Sequence, residues 1–266
     1  MAFIENFFGW IGRPFIHLYE LMNGFGRFIE FQVSLIPLYF TRPSRIREFF
    51  QQMESIGIGT LGVILLTAVF TGMVEAIQLY HGFHRFGAEN FMGYTIFVSI
   101  ARELGPVFAA LMLISRAISA MAAELGTMRV TEQIDAIETL AVDSKKYLVI
   151  PRILATTVSL PLLVITFDFI GNVSAYLIST YALGVNPVAY KNTIQQYLEF
   201  ADIGTGVLKA LVFGFLVSSI GTYLGYIARG GARGVGLATT RAVVYSAVTI
   251  FAANYLLSSL FLFLDW

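Results

Sequence analysis

Long apolar stretches separated by short polar segments dominate the chain from about residue 57 onward. A helix needs about 20 predominantly apolar residues to cross a bilayer, and five stretches reach that length. The pattern therefore predicts an all-α integral membrane protein with five transmembrane helices. The predicted spans are residues 57–80, 94–121, 148–183, 203–228 and 242–264. The third is too long for one crossing, so we expect it to project beyond the bilayer or to break near Gly171.

The residues before the first span follow a different pattern, in which apolar residues recur at helical spacing between basic ones. The apolar positions of this stretch are Ile46, Phe49, Phe50, Met53 and Ile56, and an earlier amphipathic piece holds Phe7, Phe8, Trp10, Phe15 and Leu18. Such a pattern is typical of helices that lie in the membrane interface. We therefore predict an amphipathic interfacial segment over residues 1–56 and a membrane domain over 57–266. The alternative for the first segment is a further, poorly formed span.

The positions of the basic residues predict the orientation of the spans, because cytoplasmic loops carry an excess of Lys and Arg. The side that holds the N-terminus carries Arg13, Arg27, Arg42, Arg45, Arg47, Arg129, Lys145, Lys146, Arg152, Arg229, Arg233 and Arg241. The opposite side carries Arg85 and Lys191. We therefore expect the N-terminus inside the cell, the C-terminus outside, and the loop at 123–143 in the cytoplasm.

Composition excludes several classes of function. The chain is 57% hydrophobic and 13% charged, well below the charge content of a soluble domain. Its zero net charge argues against a nucleic-acid partner, and the absence of cysteine excludes disulfides and thiolate sites. No metalloprotease, hydrolase or phosphate-loop motif is present, so we predict no catalytic residue and no metal site. The glycine-rich, basic segment 230–242 is expected to be a flexible connection.

Several charged residues fall inside the predicted spans, where a charge at mid-bilayer costs about 2.5–3.5 kcal/mol. Counted from the cytoplasmic ends, Glu75, Glu103, Asp168 and Lys209 lie about 16–21 residues along their helices, at one level near the outer leaflet. We predict a polar cluster there, with Lys209 paired to either Glu103 or Asp168. Simple snorkelling of the charges outward is the alternative. The remaining basic residue of the second span, Arg116, is expected to snorkel towards the cytoplasm. The predicted cluster consists of Arg102, Glu103, Asp168 and Lys209.

The loop at 123–143 combines an apolar stripe with an acidic outer surface, and this predicts an amphipathic helix exposed to the cytoplasm. Thr131 is a candidate N-cap, with Glu132 and Asp135 favourably placed near a helix N-terminus. The helix either docks a soluble partner or packs against its own domain.

Two blocks of sequence resemble a known family. RELGPVFAALMLISRAISAMAAELGTMRVTEQIDAIETLAVD, residues 102–143, is similar to the central signature of the MlaE family of ABC-transporter permeases. GARGVGLATTRAVV, residues 231–244, is similar to that family's second signature. The resemblance implies a multi-pass homodimer in the bacterial inner membrane that moves phospholipid between this membrane and the outer envelope.

The resemblance also implies the partners and the positions that serve them. A cytoplasmic ABC ATPase would bind ATP and Mg²⁺, so this chain itself would have no cofactor and no enzymatic activity. A ring of MCE-domain proteins would lie on the outer side, and a STAS-domain protein could join inside. The implied lipid pathway holds Glu75, Gln78, Leu79 and Tyr80, beside the fifth span as an apolar wall. The implied ATPase-coupling surface holds Glu124, Thr127, Met128, Thr131, Glu132, Asp135 and Glu138.

Three functional hypotheses remain open on the sequence. The first is the lipid permease, in which Lys209 would contact a lipid phosphate unless Glu103 neutralises it. The second is a secondary transporter or channel that uses Glu75, Glu103 and Asp168 as a proton or ion relay. The third is a membrane anchor that recruits a soluble protein through the loop at 123–143.

Overall fold

A computed structural model describes residues 22–40 and 46–264, and every regular element within these ranges is helical. The two ranges belong to separate compact units. The first unit contains helix α1, residues 22–39, with Pro37 in its last turn. The amphipathic piece predicted around Phe7 and Leu18 lies outside the described residues.

The second unit contains five helical segments that are long and apolar enough to cross a membrane, which confirms the predicted number of spans. The segments are Ile46–His84, Glu89–Val130, Lys145–Ala182, Phe200–Tyr226 and Gly231–Phe263. All five are longer than the apolar stretches that predicted them, the fourth by a single residue, because further residues at their ends continue the helix. The multi-pass architecture therefore follows both from the apolar pattern and from the fold.

Most of these segments are helices interrupted by single π-helical turns. The first comprises α2 (Ile46–Met53), the π turn Glu54–Ile58 and α3 (Gly59–His84). The second comprises the 3₁₀ turn Glu89–Phe91, α4 (Met92–Ser99), the π turn Ile100–Leu104, α5 (Gly105–Leu113), the π turn Ile114–Ile118 and α6 (Ser119–Val130). The third comprises the π turn Lys145–Val149, α8 (Ile150–Leu177) and the π turn Ile178–Ala182. The other helices are α7 (Gln133–Thr139), α9 (Pro187–Tyr197), α10 (Phe200–Tyr226) and α11 (Gly231–Phe263).

Two expected boundaries differ from the observed ones. The amphipathic residues from Ile46 onward continue into α3 without a break, so the predicted boundary at residue 56 falls inside one helical segment. The glycine-rich segment is not a flexible connection, because α11 already begins at Gly231. Gly230 and Gly231 have φ values of 92° and 66°, and this left-handed backbone turns the chain from α10 into α11.

Helix α8 is the centre of the fold. In the third segment 72% of its apolar stretch of 18 residues is buried, against 17% of the corresponding stretch in the fifth. The helix is not broken at Gly171, and the expectation of a break there is wrong. Close packing at this point depends on Gly72 of α3, since a Cβ there would overlap the Gly171 carbonyl oxygen, whereas a Cβ at Gly171 itself would make only ordinary contacts. The long third stretch therefore forms one continuous helix, α8, which packs against α3, α5 and α10.

The connections define two ends of this helical unit. The α7 side carries the segment between α6 and the third span and the short link between α10 and α11. The α9 side carries the link between α3 and α4 and the link that contains α9. The basic residues predict that the α7 side faces the cytoplasm, and this orientation stays a prediction.

Candidate functional site: a polar network between three spans

A buried lysine organises the largest polar network inside the spans. Lys209 lies in the middle of α10, and its side chain is only 2% exposed. Its Nζ donates to Glu103 Oε1 at 2.7 Å, to Ser258 Oγ at 2.8 Å and to the Arg102 carbonyl oxygen at 2.8 Å. An ammonium group has three N–H donors, so these bonds satisfy all of them.

The carbonyl of Arg102 is available to Lys209 because of the sequence four residues further on. In an α-helix this oxygen would accept from the N–H of residue 106, but residue 106 is proline and has no N–H. The chain forms a π turn here, in which the Gly105 N–H bonds to the Ile100 carbonyl. Residue 106 therefore cannot donate to the Arg102 oxygen, and Lys209 from α10 does so instead.

Glu103 connects this lysine to the fifth span. Its Oε2 accepts from Asn254 Nδ2 at 2.8 Å, and its Oε1 accepts from Ser258 Oγ at 2.8 Å. The Glu103 side chain is 43% exposed, so the network presents its carboxylate rather than the lysine ammonium. The structure thus selects Glu103, not Asp168, as the partner of Lys209.

The fifth span is not the purely apolar wall that the sequence predicted. Asn254 and Ser258 are four residues apart, which places them on one face of α11. Both side chains bond to Glu103. Polar residues four positions apart on one face of this span were the signal that could have identified them.

Arg102 has a partner that the sequence analysis missed. Its Nε donates to Asp202 Oδ1 at 2.5 Å; the arginine side chain is 33% exposed and the aspartate 3%. Asp202 also accepts from the Glu199 N–H at 2.9 Å and forms a capping box at the start of α10. A carboxylate in the first turn of a helix is typical of a cap. The sequence alone therefore does not indicate that Asp202 also pairs with Arg102.

Asp168 is separate from this network, which corrects the predicted cluster. It lies on α8, and its Oδ1 is buried without a hydrogen-bond donor among the described residues. A Cβ at Gly105 would overlap this oxygen, so the carboxylate packs directly against the backbone at the start of α5. Of the four predicted members, the structure joins Arg102, Glu103 and Lys209 and leaves Asp168 apart.

Arg116 does not simply extend towards solvent, as the sequence suggested. Its Nη1 donates to the Ser55 carbonyl at 3.1 Å and to Thr60 Oγ1 at 3.2 Å. Ser55 lies in the π turn of the first segment, where the Gly59 N–H bonds to the Glu54 carbonyl and leaves the Ser55 oxygen available. As at Arg102, a backbone carbonyl in a π turn accepts a hydrogen bond from a basic side chain of another span.

The residues of the implied lipid pathway lie near the α9 end of α3. Gln78 is exposed and Glu75 is partly buried, while Leu79 and Tyr80 pack against the core. The Tyr80 ring stacks on His84 with 4.9 Å between ring centres. The described residues contain no hydrogen bond or ion pair between Glu75 and the Lys209 network.

The loop on the α7 side is not one amphipathic helix over 123–143. Helix α6 runs to Val130, and α7 begins only at Gln133. Thr131 is therefore not an N-cap; it follows α6, and its hydroxyl donates to the Thr127 carbonyl. Glu132 makes the turn between the helices with φ at 60°, in the left-handed region. Sequence reasoning missed this turn because glutamate rarely adopts that conformation.

Most of the acidic surface on this side is engaged with the protein itself. Glu124 pairs with Arg152 at 2.8 Å, and Asp135 pairs with Arg129 at 2.6 Å. Thus only part of the predicted acidic face is open to a partner. Of the seven predicted coupling residues, Glu124, Thr127, Thr131, Glu132, Asp135 and Glu138 are exposed, and Met128 is partly buried.

Glu138 joins α7 to the end of α10. Its Oε1 accepts from Ser144 Oγ at 2.5 Å and from the Tyr226 hydroxyl at 3.0 Å. The hydrogen bond from Ser144 holds the pKa of Glu138 below its usual value. Arg129 lies 5.6 Å from the centre of the Tyr226 ring, in cation–π geometry. These contacts connect α7 to the end of α10, the helix that carries Lys209.

Comparison with known proteins identifies relatives over nearly the whole chain. The family described as "Permease MlaE" matches residues 49–260. A probable ABC transporter permease protein of Rickettsia bellii is 43% identical over 91% of this chain and 93% of its own length. One of Synechocystis is 40% identical over 80% and 81%. The "Intermembrane phospholipid transport system permease protein MlaE" of Haemophilus influenzae is 32% identical over 97% and 98%.

Proposed function

Because this chain belongs to the MlaE permease family, we propose that it is the membrane subunit of an ATP-driven transporter of phospholipid. The lipid would move between the inner membrane and the outer cell envelope. A partner ABC ATPase would bind ATP and Mg²⁺ and supply the energy. The chain itself would act as the pathway and would perform no catalysis.

The observation that carries this proposal is the polar network within apolar spans. A phospholipid needs apolar walls for its chains and a polar level for its head group. The network supplies that level, with the half-exposed Glu103 and the one-third-exposed Arg102 at its surface. Since Lys209 already makes three hydrogen bonds, we assign the phosphate contact to Arg102 rather than to Lys209. Arginine also suits phosphate because its guanidinium can donate two parallel hydrogen bonds.

The assembly we propose uses the surfaces that the single chain leaves open. The first and fifth spans are the least buried, and the outward face of α11 is apolar and aromatic. We propose that two copies meet there and that the residues from Glu75 to Tyr80 lie near the lipid chains. The ATPase would contact the α7 side, a ring of MCE-domain proteins the α9 side, and a STAS-domain protein could join on the ATPase side.

The test is ATP-dependent lipid transfer by the complex with its ATPase partner, reconstituted into liposomes. We expect Arg102→Gln and Glu103→Ala to reduce transfer at least tenfold while the complex still assembles, with exposed Glu54→Gln of the first segment as the control. Assembly and ATPase activity are measured on the same preparations. Full transfer by both variants would contradict the role of the network. Transfer without any ATPase would instead favour a secondary transporter that uses intramembrane carboxylates.

A further inference from the structure

A groove on the α9 side of the second unit shares no residue with the polar network. It lies between α8, α4, α9 and the beginning of α10, with a volume of about 410 Å³. Pockets for small ligands are typically about 300–1,000 Å³, so the groove could hold a lipid head group with its glycerol but not two acyl chains. Its lining is almost entirely apolar and includes Phe97, Tyr190 and Ile194.

Two polar residues of α8, Asp168 and Asn172, line this apolar groove, and one side-chain oxygen of each is buried without a donor among the described residues. Asp168 and Asn172 are one turn apart on α8, and the Asn172 Nδ2 donates to the Asp168 carbonyl at 2.8 Å. With the amide assigned in this way, neither the Asn172 Oδ1 nor the Asp168 Oδ1 has a donor within residues 22–40 and 46–264. A carboxylate in an apolar, membrane-embedded setting is costly unless a donor or a cation meets it. The two acceptors therefore call for a ligand that brings N–H or O–H groups.

A cation lies at the other end of the groove. Lys191 of α9 places its Nζ 5.0 Å from the centre of the Tyr176 ring, in cation–π contact. Tyr176 follows Asn172 by one further turn on the same face of α8, so the ladder from Asp168 to Tyr176 rises about 12 Å. The groove thus combines a carboxylate, an amide and a positive charge in an apolar lining.

The side of the groove is open towards the bilayer. Ile165, Phe169 and Val173 line it and belong to the exposed apolar face of α8. Acyl chains could leave through this side and remain in lipid while the head group stays inside. An amphiphile from the membrane fits this arrangement better than a water-soluble ligand.

We propose that this groove binds a phospholipid with a primary-amine head group. The ammonium donates to Asp168 and Asn172, and the phosphate, two carbons away, faces Lys191. Both ends of such a zwitterion meet the opposite charge, over one to two turns of α8. A choline head group has no N–H to donate, and a glycerol head group lacks the positive charge that Asp168 attracts. The inference goes beyond the proposed transport pathway and does not rest on it.

The experiment measures which lipids the full-length protein retains. The protein is reconstituted in nanodiscs that contain equal amounts of ethanolamine, choline and glycerol phospholipids with the same acyl chains. The protein is then released from the nanodiscs, and the lipids that stay bound to it are counted by native mass spectrometry. We expect the ethanolamine lipid to exceed each of the others about tenfold, since a charge-assisted hydrogen bond separates them.

Variants assign the preference to the groove. Asp168→Asn should bring the three lipids to nearly equal retention, Lys191→Gln should lower the retention of all three, and Glu54→Gln should resemble the unaltered protein. A series of head groups with one, two and three N-methyl groups tests the same idea without any variant. Retention should fall at the second N-methyl group, when only one N–H remains for the two acceptors, and fall further at the third. An unaltered protein without amine preference, or an Asp168→Asn variant that keeps it, would overturn the proposal.

Discussion

The pairing of Glu103 with Lys209 makes an asymmetric prediction, because the two side chains differ in burial. Lys209 is 2% exposed and Glu103 is 43% exposed. Replacing Glu103 by glutamine leaves a fully buried ammonium without a counter-charge, which costs about 3–5 kcal/mol in the interior of proteins. Replacing Lys209 by methionine leaves a carboxylate that still reaches the surface and keeps the bonds from Asn254 and Ser258. We expect this second change to cost only about 1–2 kcal/mol.

The assay is a double-mutant cycle on the free energy of unfolding, measured in mild detergent under conditions where unfolding is reversible. The double variant Glu103→Gln, Lys209→Met should be about as stable as Lys209→Met alone, because it no longer buries an unpaired charge. The coupling energy would then equal the loss expected for Glu103→Gln alone, about 3–5 kcal/mol, far beyond the few tenths typical of independent sites. The control is Glu54→Gln, an exposed carboxylate to which we assign no role.

Two results would refute this reasoning. Additive single effects would show that the two side chains do not depend on each other. A larger loss of stability for Lys209→Met than for Glu103→Gln would show that the carboxylate, not the ammonium, is the more costly charge to leave unpaired. Either outcome would require a different account of the three bonds that converge on Lys209.

Three further predictions concern other parts of the molecule. Gly72→Ala should destabilise the protein by about 1–3 kcal/mol, because its Cβ would overlap a carbonyl of α8, whereas Gly62→Ala in the same helix, with nothing within 4 Å, should be neutral or slightly stabilising in thermal unfolding. Tyr226→Phe removes a hydroxyl bonded to Glu138 and should speed amide hydrogen exchange in α7 while exchange in α8 stays unchanged. Ser144 lowers the pKa of Glu138 from 4.5, so the stability from this contact should be complete above about pH 5 and fall as the pH drops through the lowered pKa. A Glu138→Gln variant should lack this dependence of the free energy of unfolding on pH.

The sequence predicted the number of spans because apolar length is a local property. It could not choose the partner of Lys209, since Glu103 and Asp168 lie at similar depth and only helix packing decides which one is reached. Lys209 also bonds to the backbone carbonyl of Arg102, to which Pro106 cannot donate. The proline is visible in the sequence, but the side chain that bonds to this carbonyl is not.

The loop on the α7 side shows a second limit. Of the apolar residues of this loop, Ile134 is buried and Leu140 is exposed. Helix continuity was mispredicted because Glu132 adopts a left-handed backbone that its residue type disfavours. The carboxylates also appeared free in the sequence, while the structure pairs Asp135 with Arg129 and Glu138 with Ser144. Such pairings join residues whose relative placement is fixed only when the chain turns back at Glu132 and after α7.

The π-helical turns restrict the length of the spans as well as their composition. Each residue of an α-helix turns the chain by about 100° and advances it 1.5 Å. Deleting one residue within Ile100–Leu104 would allow an ordinary α-helix to form, with no loss of hydropathy. It would also rotate one half of the span against the other and carry Glu103 away from Lys209. Single-residue insertions and deletions in these turns should therefore be tolerated far less than in the links between spans, even where every substituted side chain is accepted.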